Sequence, residues 1–343
     1  MIPRSLLLGP VIGISMSLSA QYNDPESVEH DPIGDRYFVS NLGDGTIKKR
    51  DQAGNVTPFA SASPDPYGLE ILGDTLYACS GGRVKGYLLS DGSQVFDLNT
   101  GGGFLNGITT DGHFLYVTDF SGQQIFRVEP STSSFTTWVA GTGGTPNGIV
   151  YEPMSDALLV AYWGAGAIVR GYDRATAAIT GTVSTGVGSI DGITLECHGL
   201  VVISSWSPNR ISRFEWGVVS PQFEDLMVPG LSQPADIDFD TVHDRICIPS
   251  GGNDQVILFD LADCATAVPG PSPSDAFTVS LTEDGRALRF QGLPLEATAY
   301  RLLDVTGRLL DAGRLQATVL LPAFTGAVLV QVDGIGVRRI MVP

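Results

Sequence analysis

Leu105-Asn106-Gly107-Ile108-Thr109-Thr110, then Phe114-Leu115-Tyr116-Val117-Thr118 and Gln124-Ile125-Phe126-Arg127-Val128, read as three short strands. Apolar and polar residues alternate along them, and Asp111-Gly112 and Ser121-Gly122 make the tight turns between them. Phe135–Val139 follows as an outer strand. The same pattern recurs along the chain. Its openings are Pro25-Glu26-Ser27-Val28, Pro66-Tyr67-Gly68-Leu69, Leu105-Asn106-Gly107-Ile108, Pro146-Asn147-Gly148-Ile149, Ile190-Asp191-Gly192-Ile193 and Pro234-Ala235-Asp236-Ile237. Successive starts lie 41, 39, 41, 44 and 44 residues apart. A period near 40 built from short strands predicts an all-β fold: a six-bladed β-propeller over residues 21–267, one four-stranded blade per repeat. A blade cannot bury both faces alone, so the repeats stack and close on themselves. The sixth repeat offers Arg245–Pro249 and Val256–Leu261 but no clear outer strand. Residues just after Ala20 are expected to supply it.

After Cys264 the pattern changes. Residues 268–275, which include Val268-Pro269-Gly270-Pro271-Ser272-Pro273-Ser274, read as a stiff linker. Residues 276–343 carry seven alternating segments: Phe277–Leu281, Ala287–Phe290, Ala299–Asp304, Arg308–Gly313, Ala317–Leu321, Ala327–Val332 and Val337–Val342. Gly-rich turns between them predict a small C-terminal β-sandwich. The run Tyr300-Arg301-Leu302-Leu303-Asp304-Val305-Thr306-Gly307-Arg308, then Leu321-Pro322 with Gly326, then Val337-Arg338-Arg339-Ile340-Met341-Val342, resembles the C-terminal sorting domain of the type IX secretion system. The resemblance departs at Ala327-Val328, where that family carries a tyrosine. It implies the type IX secretion machinery as a partner and surface attachment or release.

The N-terminus agrees with export. Met1–Arg4 is a short basic start, Leu6–Leu18 an apolar run and Ser19-Ala20-Gln21 a small-residue cleavage site, so residues 1–20 read as a signal peptide. No other apolar run approaches membrane length, so no transmembrane segment is expected in the mature protein. The expected location is secreted or cell-surface, associated with the outer membrane. The 343 residues carry a formal net charge of −17, all of it in residues 1–274, where 30 acidic side chains face 13 basic ones. Such a surface repels nucleic-acid phosphates and anionic membranes. Four cysteines, Cys79, Cys197, Cys247 and Cys264, allow three pairings, and their spacing selects none. Cys79 and Cys247 occupy the same strand of non-neighbouring blades, which argues against that pair.

The residue after the first in each opening is Glu26, Tyr67, Asn106, Asn147, Asp191 or Ala235. It begins the innermost strand, so its side chain can point into the central channel. Four of these six are oxygen donors at one level of one ring, a set suited to a hard divalent cation. The turns between second and third strands share this face. They place Phe120, Trp163 and Trp206 on three consecutive blades, as a wall for a small-molecule or carbohydrate-derived ligand. His113, His198 and His243 fall in turns on the opposite face, and His30 ends its inner strand. A Ser-His-Asp mechanism therefore has no support.

With Glu26, Asn106, Asn147 and Asp191 in these positions, residues 24–264 resemble the senescence-marker-protein/gluconolactonase (regucalcin-like) superfamily. The resemblance implies a divalent metal held by Glu26, Asn147 and Asp191, with calcium expected first and magnesium, manganese or zinc as alternatives. It implies substrate contact by Asn106, beside Tyr67 and the aromatic wall, and hydrolysis of a sugar lactone or related ester with Asp191 as base. Two positions depart from that family: Ser27-Val28 follow Glu26 where Gly-Pro is usual, and Phe104 stands where its lactonases often place arginine. Two alternatives stay open. One is a non-catalytic propeller of the NHL or YVTN kind that binds a ligand or protein. The weaker one is a strictosidine-synthase-like propeller.

Overall fold

The computed structural model describes residues 21–265 and, beyond them, residues 278–282, 286–291, 299–304, 309–314, 316, 318–321, 326–332 and 336–342. The expected signal peptide and linker lie outside the described residues. Residues 25–260 form six consecutive antiparallel sheets. Five have four strands each, adjacent in chain order. The inner strands are Pro25–Asp31, Pro66–Leu72, Leu105–Thr110, Thr145–Glu152, Gly188–Leu195 and Asp238–Asp240. Each packs beside the next, and the last packs beside the first. Sheets arrayed in this way around a central channel make a β-propeller.

Burial follows position in the sheet. The second strands are almost wholly buried, as in Thr75–Ser80 and Leu115–Asp119. They read as near-continuous apolar runs, such as Ala157-Leu158-Leu159-Val160-Ala161, because both faces pack on neighbouring sheets. Outer strands such as Ser134–Val139 and Ile179–Ser184 are largely exposed. Each seam between sheets has its own apolar cluster. Phe38 and Ile47 meet Leu69 and Leu76 between the first two sheets, and Leu159 and Ala161 meet Ile190 and Ile203 between the fourth and fifth. At the closing seam, Val28, Tyr37 and Val39 meet Cys247.

The sixth sheet has three strands, Asp238–Asp240, Arg245–Ser250 and Gln255–Asp260. The expectation that residues just after Ala20 add a fourth is corrected. Asn23 and Asp24 instead offer their carbonyls to the backbone N–H groups of Gly43 and Leu42 in the first sheet's turn. Tyr22 packs in the closing cluster beside Val256 and Leu258. Asp24 N–H reaches across to Asp254 Oδ1 at 2.7 Å. The segment therefore covers the seam without strand pairing.

Cys197 and Cys264 form a disulfide, with Cα atoms 5.9 Å apart, while Cys79 and Cys247 are free and buried. The bond ties a turn of the fifth sheet to the short helix Ala262–Ala265 that follows the sixth.

In the tail, all seven anticipated strands form, close to their expected limits: Thr278–Leu281, Ala287–Gln291, Ala299–Asp304, Leu309–Arg314, Thr318–Leu320, Gly326–Val332 and Gly336–Val342. They make a three-stranded and a four-stranded sheet. Leu288, Phe290 and Val319 from the first share an apolar cluster with Tyr300, Leu302 and Val330 from the second.

Candidate functional site

The opening of each of the first five inner strands is a β-bulge. Two inner-strand residues oppose one on the second strand: Glu26-Ser27 against Ser40, Tyr67-Gly68 against Cys79, Asn106-Gly107 against Thr118, Asn147-Gly148 against Ala161 and Asp191-Gly192 against Ser204. A bulge releases its residues from ladder pairing and re-aims their side chains. The second bulge residue packs against the next sheet. A Cβ on Gly148 would sit 2.5 Å from the Asp191 carbonyl oxygen, so only glycine permits this approach. Hydroxyls on the second strand satisfy the freed backbone. Thr118 Oγ1 accepts the Gly107 N–H at 2.8 Å and donates to the Asn147 carbonyl at 2.7 Å. Ser204 Oγ does the same for Gly192 and the Ala235 carbonyl at 2.7 and 2.6 Å.

The first bulge residues gather at the channel mouth. Asn147 Nδ2 donates to Asp191 Oδ1 at 3.0 Å and to the Ile190 carbonyl at 3.3 Å. Its Oδ1 is buried without a hydrogen-bond partner, on a residue only 2% exposed. Glu26 comes from the far side of the closing seam and is close enough to Asp191 and Asp236 to feel both charges. Burial first, then those two carboxylates and Asp24, push its pKa well above the ordinary range. Burial likewise raises Asp191 to about 7, against the hydrogen bond from Asn147 and the nearby Trp206 N–H, which lower it. Asn106 occupies the equivalent bulge position in the third sheet and is buried.

The anticipated aromatic residues form one continuous chain. Ring centroids lie 4.5 Å apart for Tyr67–Phe104, 5.3 Å for Phe104–Phe120, 6.2 Å for Phe120–Trp163 and 4.9 Å for Trp163–Trp206. All five are half-buried. Trp206 Nε1 donates to the Pro234 carbonyl at 3.1 Å, which anchors that end to the sixth sheet. Phe104, first noticed as a missing arginine, is the ring that joins Tyr67 to the others.

Sequence reading overlooked Asp236. The sixth opening carries the same bulge, with Ala235-Asp236 against Pro249, but its acid is the second bulge residue and not the first. Asp236 accepts from Ser27 Oγ at 2.9 Å, and burial raises its pKa to about 8. The signal was available in the next column, where Ser27, Gly68, Gly107, Gly148 and Gly192 give way to an acid at the sixth repeat.

Below the mouth, Glu29, Glu70 and Asp238 line a cavity of about 40 Å³ in the channel, together with Asp236 and Thr109. These side chains stitch the inner strands to one another. Glu29 Oε1 accepts the Ile71 N–H at 3.1 Å, Glu70 Oε2 the Thr110 N–H at 3.1 Å and Asp238 Oδ2 the His30 N–H at 2.8 Å. Inner strands of neighbouring sheets are not paired along their length, so their N–H groups need such acceptors. Burial first, then neighbouring carboxylates, raise the pKa values of all three, with Asp238 acting on Glu29 and Glu70 and Asp240 acting on Asp238, which is pushed up to about 6.

No family model matches the chain, and no curated protein matches it in sequence. Solved structures share its fold. A chain of Kuenenia stuttgartiensis hydrazine synthase aligns with a TM-score of 0.57 at 15% identity, over 78% of this chain and 84% of that one. A Bacteroides thetaiotaomicron protein of unknown function aligns at 0.58 and 12% identity, over 70% of each. The β-propeller domain of Myceliophteria thermophila Cps50 (Swd1) aligns at 0.51 and 14% identity, over 70% of this chain and 98% of that one. These neighbours share the propeller and differ in function, so they speak for the fold alone.

Proposed function

We propose that this chain is a secreted, six-bladed, regucalcin-like propeller that binds a divalent cation, calcium first, at the channel mouth through Glu26, Asn147 and Asp191, and that hydrolyses a lactone or related ester there. The observation that carries the reading is the buried, unpartnered Asn147 Oδ1 beside Asp191, with Glu26 across the ring. Carboxylate and amide oxygens suit a hard cation, and a buried carbonyl oxygen without a donor is costly unless something occupies its lone pairs. A bound cation would polarise an ester carbonyl and lower the pKa of a water. In this reading Asp191 is the base that takes the proton from the attacking water. Asn106 offers its amide to the substrate. Tyr67, Phe104, Phe120, Trp163 and Trp206 pack against an apolar or sugar-like ring. With phenylalanine at 104, the substrate is one that lacks a carboxylate.

A second reading is a non-catalytic propeller that binds a ligand through this face. It is favoured by the burial of Glu26 and Asp191, only 8% and 3% exposed behind the aromatic chain. We further propose that residues 1–20 are a signal peptide, residues 268–275 a linker and residues 276–343 a β-sandwich read by the type IX secretion machinery. The seven tail strands and their common core support the sandwich.

Calcium, magnesium, manganese and zinc are titrated against melting temperature for the wild type, Glu26→Gln and Asp191→Asn. A rise of several degrees that both variants lose supports the mouth site. No rise with any ion, or a rise the variants retain, rejects it. If the ion binds but Asp191→Ala and wild type hydrolyse a lactone panel equally, the catalytic reading fails and the binding reading stands.

A further inference from the structure

At the far ends of the inner strands, away from the mouth, four side chains from the two ends of the ring meet. His30 lies in the inner strand of the first sheet and Asp35 in the turn after it. Asp240 ends the inner strand of the sixth sheet, and His243 lies in the turn that follows. His30 is 5% exposed, and its Nε2 makes no hydrogen bond. That nitrogen is 3.4 Å from Asp240 Oδ1 and 3.9 Å from Asp35 Oδ1. His243 Nδ1 is 2.9 Å from Asp240 Oδ2 and 3.6 Å from the same Asp35 Oδ1. Donor atoms of His30, Asp240 and His243 all lie within 4.8 Å of one another.

We propose that His30, Asp35, Asp240 and His243 form a zinc site that clasps the first and last sheets of the propeller. Two imidazoles and two carboxylates are a borderline-soft set that suits Zn²⁺ better than Ca²⁺. Bonds of about 2.0–2.2 Å in a tetrahedron put donors roughly 3.4 Å apart, so side-chain shifts of about 1 Å complete the site. The orphaned His30 nitrogen is the second observation: a buried imidazole nitrogen without a partner is what a metal would satisfy. The outer partners that orient metal ligands are also in place. Tyr37 donates its hydroxyl to Asp240 Oδ2. The Val242 and His243 N–H groups each donate to Asp240 Oδ1 at 2.9 Å, and Gln52 Nε2 donates to Asp35 Oδ1 at 2.8 Å. Burial keeps His30 neutral, the form that binds metal, against the opposing pull of Asp240 and Asp35. The side chains of Asp35 and His243, 47% and 28% exposed, give an ion its route from solvent. Its ligands come from the inner strands and following turns of the first and sixth sheets, so a bound ion would tie the closing seam directly. Another histidine group, Glu196, Cys197, His198 and Cys264, has its sulfurs joined in the disulfide.

The test uses the oxidised chain, stripped with chelator and titrated with Co²⁺ and then Zn²⁺. One equivalent of Co²⁺ is expected to give the intense visible bands of a four-coordinate ion. Zn²⁺ should displace it and raise the melting temperature by about 5 °C at hundredfold excess over Kd. His243→Ala, at the exposed rim, should weaken binding at least tenfold, and Asp35→Asn should act in the same direction. Glu26→Gln and Asp191→Asn should leave the bands unchanged, which separates this site from the mouth. Absent four-coordinate bands in the wild type would overturn the proposal. So would bands that survive both His243→Ala and Asp35→Asn, or that vanish only with Asp191→Asn.

Discussion

Between the fourth and fifth sheets, Leu159, Ala161, Val169, Ile190, Ile203 and Phe214 form a continuous apolar layer. Between the sixth and the first, Val28, Tyr37, Val39 and Cys247 form a thin one, and directional bonds take over. Ser27 bonds Asp236, Tyr37 bonds Asp240, and the His30 N–H bonds Asp238. The two seams face different problems. Sheets adjacent in sequence are brought together by a short connection. The closing seam joins residues more than 200 positions apart, as in Tyr37 and Asp240, and must select one register among many after a large loop has closed. Apolar contact is non-directional and cannot choose that register, whereas buried hydrogen bonds can.

Mutations can break this contrast, and the largest effect is expected at the polar seam. Asp240→Ala would leave the Tyr37 hydroxyl, two backbone N–H groups and His243 without their acceptor. It should cost about 3–5 kcal/mol in urea denaturation, as expected for breaking a buried charged network. Leu159→Ala, in the apolar seam, should cost about 2–5 kcal/mol through cavity formation. Its effect should be indifferent to pH, which separates the two seams. Replacing Cys197 and Cys264 by serine removes a link spanning 67 positions and should cost about 2–4 kcal/mol in the same assay.

Tyr37→Phe should cost about 1–2 kcal/mol, since it removes one hydroxyl and leaves Asp240 its other donors. The smallest expected effect is a pH trend in chelator-treated protein. Asp236 and Asp238 have folded pKa values of about 8 and 6, above the ordinary 3.8. The folded state therefore binds more protons than the unfolded state between about pH 4 and 8, so stability falls as pH rises through that window. His30, whose pKa is lowered from 6.5, opposes this below pH 6.5. The melting temperature should drop by a few degrees from pH 6.5 to 8. Asp236→Asn, which still accepts from Ser27, should flatten that slope. An unchanged slope would show that the channel acids are ionised at no cost.

Much of the fold was legible because a propeller repeats itself. The Asn-Gly and Asp-Gly openings marked inner strands, and alternation located the strands of the tail within about two residues. The mouth was legible in one column, Glu26, Asn147 and Asp191, and the aromatic chain in another. Phe104 was legible only as a departure from arginine, because its role depends on which rings lie beside it. Asp236 was not legible as part of the mouth because it stands at the second bulge position, which is glycine or serine in the other five openings, and only its contact with Ser27 across the closing seam brings it there.

The sequence by itself determined the period, the strand pattern and the kind of residue at each opening, since these follow from local alternation and turn chemistry. The tertiary structure alone decided which distant groups meet: Cys197 with Cys264, Ser27 with Asp236, His30 with Asp240 and His243. It also decided that Asn147 keeps an unpartnered oxygen beside Asp191. The physical reason is that local periodicity sets which face a side chain takes. Closure of the ring sets which face it meets, and that depends on how six sheets twist and pack around one axis.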